Sequence, residues 1–193
     1  MLGSIGYMIG EEVMSQHAQP SGGQQSQQNR RKIQGWLMEE GWRVGEVNPP
    51  DAAWMLSATD ESGRIILIGQ PINRADIVLI QGSVRTDENV RRHLREMAQH
   101  ERNKFYLDLQ YSLLQMGVEY ANVGNPPPDP PELVGVTQRI YAEALNRDEF
   151  VQRAILIRNA VVMILLKIAG LMNQPPVVPA EPPPIGFRPA SSQ

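Results

Sequence analysis

Cysteine is absent from all 193 residues. Its absence excludes disulfides, thiolate nucleophiles and Cys-ligated zinc or iron–sulfur centres together, and it fits a cytoplasmic setting. Histidine is nearly as scarce, with only His17, His93 and His100. The last two lie seven positions apart on a predicted helix, so about 10 Å separates their side chains along it. One metal prefers the i, i+4 spacing, and neither a metal site nor a cofactor is expected. No GxGxxG or GxxxxGK[ST] string is present to cradle a phosphate. No GxSxG motif activates a serine, and the aspartates are scattered, so no catalytic residue is assigned.

Charge of one sign is also lacking. The formal net charge is −3, and the chain has no basic stripe that would release counterions from a nucleic acid. Arg91, Arg92, Arg95, Arg102 and Lys104 are interleaved with Glu88, Glu96 and Glu101. The spacings Glu88–Arg91, Glu88–Arg92 and Arg92–Glu96 suit helix-surface pairs, so a solvated mixed-charge face is expected and a nucleic-acid partner is not. Long hydrophobic runs are missing too. Residues 154–172 are interrupted by Arg158, Asn159 and Lys167, which leaves Ala160–Leu166 uninterrupted. That is far short of the ~20 residues of a bilayer span, so a core or interface helix is expected rather than a transmembrane segment. The first thirteen residues lack a basic n-region and run into Glu11 and Glu12, so a signal peptide is not read there.

What the chain does contain is an order of elements. A helical pattern from Arg30 to Glu40 places Ile33, Trp36 and Leu37 on one face, and Gly41 stands where a left-handed C-cap is expected. Trp42–Val47 alternates, Asn48–Asp51 turns, and Ala52–Thr59 puts Trp54, Leu56 and Ala58 on one side. After a Gly-containing hairpin loop at Asp60–Gly63, the run Ile65–Ile68 predicts a central strand covered on both faces. Ile77–Arg85 reads as a further strand of a meander. Thr86 or Asp87 can cap a helical pattern over Asn89–Met116, with a possible break at Glu101–Lys104. Val118–Val123 and Leu133–Tyr141 read as strands, separated by the rigid proline loop Pro126–Pro131. Asn146 or Asp148 opens an almost wholly apolar helix ending near Asn173. The tryptophans Trp36, Trp42 and Trp54 are expected as core anchors.

The expected architecture is therefore α+β, an antiparallel β-meander packed against helices in the order α-β-β-β-(β)-α-β-β-α. Residues 30–173 form the domain. Residues 1–29, with their Gly/Ser/Gln-rich stretch Pro20–Asn29, are expected as a flexible segment. Residues 174–193 hold seven of the sixteen prolines and are expected as a disordered, polyproline-like tail.

The order helix, meander, helix, β-pair, helix resembles the fold of type III secretion chaperones and YbjN-like proteins, and an uncharacterised prokaryotic family assigned that fold. The resemblance rests on KIQGWLMEEGW (Lys32–Trp42), AAWMLSATD (Ala52–Asp60), RIILIGQPI (Arg64–Ile72) and LVGVTQRIYAEALNRDEFVQRAILIRNAV (Leu133–Val161). It implies a sandwich that often dimerises and binds polypeptide segments, with no catalytic residues to carry over. From the residues themselves, the predicted helix over Asn89–Met116 has a second apolar stripe (Leu107, Tyr111, Leu114), and the last helix is apolar around most of its circumference. Leu107, Tyr111, Leu114, Val161, Ile164, Leu165 and Ile168 are thus the candidate interaction surface. The function expected is non-enzymatic binding of a polypeptide partner, chaperone-like, by a homodimer. The alternative is a small-ligand-binding protein or an enzyme whose site is assembled from residues distant in sequence.

Overall fold

The computed structural model describes residues 22–123 and 129–173. Their elements are helix α1 (Gly22–Glu39), strands β1 (Arg43–Val47), β2 (Ala52–Thr59), β3 (Ile65–Pro71) and β4 (Ile77–Arg85), helices α2 (Glu88–Glu96) and α3 (Gln99–Gln115), strands β5 (Glu119–Val123) and β6 (Leu133–Tyr141), a 3-10 turn at Ala142–Ala144 and helix α4 (Arg147–Met172). The strands form one antiparallel open sheet in the order β1-β2-β3-β4-β6-β5. The α+β class and the predicted element order are both observed. Pro126–Pro128, the first half of the proline loop, and the proline-rich 174–193 lie outside the described residues, as do residues 1–21.

The chain divides into two compact units. One comprises the residues up to Gln81 with Gln138–Ile155, and the other Gly82–Thr137 with the residues from Leu156 onward.

In the first unit, α1 begins eight residues earlier than predicted, so Gly22–Asn29 is helix and not linker. Glutamine is a fair helix former, and the turn is held from outside itself. Ser26 and Asn29 are buried, and the Ser26 hydroxyl donates to the Gln70 Oε1. Trp54 Nε1 donates to both, at 3.0 Å to Ser26 and 3.1 Å to Gln70. Gln70 in turn donates to the Ala75 carbonyl at 2.6 Å. Further along, Ile33 and Leu37 are buried, and Trp36 meets Phe150 with ring centroids 5.8 Å apart. Two bonds close the helix, from Gly41 N–H to Met38 O at 3.0 Å and from Trp42 N–H to Leu37 O at 2.9 Å. Gly41 has φ +79°, the left-handed residue of a Schellman cap.

β1 then pairs antiparallel with β2, and β2 with β3. The β2–β3 turn is built on Asp60, whose carboxylate accepts from the Ser62 and Arg64 amides at 2.9 Å each and from Arg64 Nε at 2.8 Å. Burial alone would push that carboxyl up. The hydrogen bonds from the Arg64 backbone and guanidinium, with the Arg64 charge and the Ser62 amide, outweigh it and leave the group below its ordinary value. β3 corrects the expectation of a strand covered on both faces. Ile66 and Ile68 are buried, whereas Ile65 is 54% exposed, so the run alternates like the strands beside it.

In the second unit, Asp87 caps α2 by accepting from Val90 N–H at 2.9 Å. The predicted continuous helix is two helices, and the break falls at Met97–Ala98, where both residues are extended (ψ 148° and 141°), rather than at Glu101–Lys104. Val90, Leu94 and Leu171 form one cluster onto which Met97, Phe105, Tyr106 and Ile168 pack. On an unbroken helix Val90 and Tyr106 would stand about 24 Å apart, so gathering both on one cluster requires the turn. α3 ends in the same cap as α1: Gly117 (φ +71°) donates to Leu114 O at 2.9 Å and Val118 to Leu113 O at 3.3 Å. β5 follows and pairs with β6. α4 crosses the sheet where β4 has no side chain. A Cβ on Gly82 would lie 2.6 Å from Val161 Cγ2, 3.0 Å from Ile157 Cγ2 and 3.3 Å from Val136 Cγ2.

Candidate interaction surface

The outer side of α3 is built by its own periodicity. Leu109 and Leu113 point inward and are buried. Leu107, Tyr111 and Leu114, at i, i+4 and i+7, then fall on the opposite side. They are 65%, 63% and 72% exposed. Asp108 lies between that stripe and α4, and its carboxylate receives the Lys167 ammonium of α4 in a surface ion pair. Such a pair contributes about 0–1 kcal/mol, and it marks which side of α4 meets α3. Leu166, beside Lys167, is 67% exposed. Leu165 is exposed as well, yet at 100° per residue it sits about 160° round the helix from Lys167.

The predicted surface residues therefore separate. Leu107, Tyr111 and Leu114 form one exposed stripe. Val161 and Ile164 are buried at 5% and 0%; they face inward because α4 presses onto Gly82 and Val136, so they cannot belong to an accessible face. Ile168 is half-buried in the Val90–Leu94–Leu171 cluster, and Leu165 lies on the other flank. The Asp108–Lys167 pair that joins α4 to α3 beside the stripe, and the exposure of Leu166, are features that sequence reasoning missed. The available signal was the polar Lys167, which marks the edge of an otherwise uniformly apolar helix.

Three members of the basic cluster are paired with acids in place. Arg91 pairs with Glu88 at 2.7 Å and Glu132 at 3.6 Å, Arg95 with Glu88, and Arg102 with Asp129 at 3.7 Å. Arg92 bonds to Asn89 at 3.1 Å rather than to the predicted Glu88 or Glu96. Arg95, then Arg91, holds the Glu88 carboxyl below its usual range through hydrogen bonds. Tyr106 donates to Asp129 at 3.4 Å; burial first, then the Asp129 charge, pushes its hydroxyl well up. His93 lies on α2 and His100 on α3, so the single-helix spacing assumed for them does not apply. Among the described residues, no group of three or more His, Asp or Glu could hold a metal ion. Trp42 and Trp54 are buried anchors as expected.

By length and composition α4 could cross a membrane. Its Ile157, Ala160, Val161, Ile164 and Leu171 are buried within the fold, though 28% of its most apolar window is buried overall, and the core helix of a soluble protein meets the same criteria of length and composition.

An antiparallel sheet with four helices, one of them carrying an exposed apolar stripe, defines an α+β protein. The family model of the uncharacterised conserved proteins DUF2299 matches residues 29–168, and the chain belongs to that family. The crystal structure of an uncharacterised protein from Methanothermobacter thermautotrophicus is similar to it, with a TM-score of 0.66 and 22% identity over 74% of this chain and 97% of that one. A likeness at that identity is one of fold. No curated protein matches the chain.

Proposed function

We propose that this protein is a non-enzymatic, polypeptide-binding domain whose working surface is the outer side of α3, with the exposed Leu166 of α4 in the same unit. One observation carries the reading: Leu107, Tyr111, Leu114 and Leu166 are all more than 60% exposed within one unit. Large apolar side chains gathered on one exposed helix side are the kind of patch that tends to be functional on a monomer. Tyr111 supplies an aromatic anchor of the kind enriched at interface centres. A chaperone-like role and a fold of the type III secretion chaperone or YbjN kind belong to this proposal; the order of elements supports them. A cytoplasmic location, suggested by the lack of cysteine, belongs to it too.

A photo-crosslinking residue at position 111 tests the reading in cells. Crosslinks to polypeptide from position 111, and none from an equally exposed site such as Met38, are expected. Equal labelling from both positions, or none from 111, overturns it.

A further inference from the structure

We infer that Gly22–Asn29, the first two turns of α1, form a strap that lifts off the sheet of the first unit in one piece while the rest of that unit stays folded. The argument begins with what holds the strap down. From Gly23 to Asn29 only Ser26 and Asn29 are buried, and the glutamines between and before them face water. A Cβ on Gly23 would meet nothing within 4 Å. Asn29 is 3% exposed, yet its Nδ2 has no hydrogen-bond partner, so its burial costs free energy rather than fastening the turn. The first turn carries no acid to meet the helix dipole. What remains is the Ser26 hydroxyl, and both of its bonds go to the Trp54–Gln70 pair.

That pair does not need the strap. Trp54 and Gln70 stand directly opposite in the β2–β3 register, so their side chains share a face. Trp54 Nε1 already bonds to Gln70 Oε1, and Gln70 Nε2 to the Ala75 carbonyl. When Ser26 leaves, the indole and carboxamide donors each keep an acceptor, and the Asn29 amide gains water. Opening therefore creates no orphaned polar group and relieves one. The limit of the movement is equally definite. Arg30 pairs with Glu46 of β1, and apolar docking begins at Ile33, which is fully buried, and continues at Leu37. The hinge thus falls at Arg30, and lifting the strap bares the Trp54 indole, 4% exposed when it is closed.

Because the full chain has no cysteine, Ser26→Cys introduces a single thiol whose reaction with methyl methanethiosulfonate reads the opening. It should react about 100-fold faster than Ile33→Cys, at a rate nearly independent of low urea, since local openings lie far below global unfolding in free energy. Rates within about threefold of each other, rising together with urea, would mean that both thiols wait for global unfolding, and would overturn the inference. Amide exchange of the unaltered protein keeps the test independent of the substitution. Ser26, Gln27, Gln28 and Asn29 are the strap amides with acceptors inside the helix. They should share one protection factor, about 100-fold below that of Ile33 and Leu37. Protection climbing steadily from Ser26 to Asn29 would be ordinary fraying, and protection equal to that of Ile33 would be a fixed helix; either result overturns the strap.

Discussion

The two units contain the same local device and clothe it differently. Each has a helix that stops at a left-handed glycine, Gly41 or Gly117, and hands over to a buried apolar residue, Trp42 or Val118. Each helix then leads into an edge strand of the sheet, β1 or β5. The helices differ on the side that faces water. On α1 the exposed positions are mainly Gln24, Gln25, Gln27, Gln28, Arg31, Lys32 and Glu39, with Met38 the one large apolar residue among them. On α3 they include Leu107, Tyr111 and Leu114. The local folding problem is the same, so folding does not account for the greasy stripe of α3. Leucines held in water stabilise nothing in a monomer, and on α3 three large apolar side chains share one exposed side where α1 has a single Met38.

The largest test of that contrast sets a buried position of the first unit against an exposed one of the second. Ile66→Asp should destabilise the fold by about 3–5 kcal/mol, by forcing a charge into a dry layer. Leu114→Asp should change stability by less than about 0.5 kcal/mol at concentrations where the protein is monomeric. Urea unfolding of both decides it, and an equal loss would mean that the α3 stripe is structural after all. The next test breaks or confirms the likeness of the two caps. Gly41→Ala and Gly117→Ala should each cost about 1 kcal/mol, since both force a Cβ into the left-handed region. Thermal melts that separate the two by more than that would show that one cap is held by something beyond its glycine.

The smallest effect concerns the turn peculiar to the first unit. The Asp60 carboxyl is depressed in the folded state. Its contribution is therefore fully present above the unfolded carboxylate value, about pH 4, and is lost as pH falls through the lower folded value. Asp60→Asn should flatten that acid-side slope in stability-versus-pH curves. An unchanged slope would assign the acid sensitivity elsewhere.

Legibility in the sequence followed the range of the forces involved. Ala52–Thr59, Ile77–Arg85 and Leu133–Tyr141 match their observed strands residue for residue, because alternation is a local, period-two signal. The start of α4 was equally plain, as Asn146 accepts from Glu149 N–H at 3.0 Å. The first two turns of α1 were hidden, since a Gln/Ser stretch looks like a linker until Trp54 and Gln70 meet it in space. The α2–α3 break was hidden for the opposite reason: the apolar stripe stays in phase across Met97–Ala98 and gives no sign of the turn. Of the candidate surface, the α3 stripe could be read because Leu109 and Leu113 define the side opposite to it. The α4 residues could not, because a helix apolar all round does not mark which side faces in.

That last ambiguity is resolved by one missing side chain. Gly82 is a notch in the sheet into which Val161 and Ile157 seat, and a notch sets the angle of whatever rests in it. Turned by one residue, about 100°, α4 would exchange inner for outer apolar side chains while burying a similar amount of surface. Hydrophobicity alone is nearly indifferent to that rotation; the notch is not. Gly82 thus acts as the detent that sets the rotational phase of α4, and through it decides that Val161 and Ile157 face in and Leu166 faces out. A larger residue there would do more than loosen the core: it would turn a different set of apolar side chains outward.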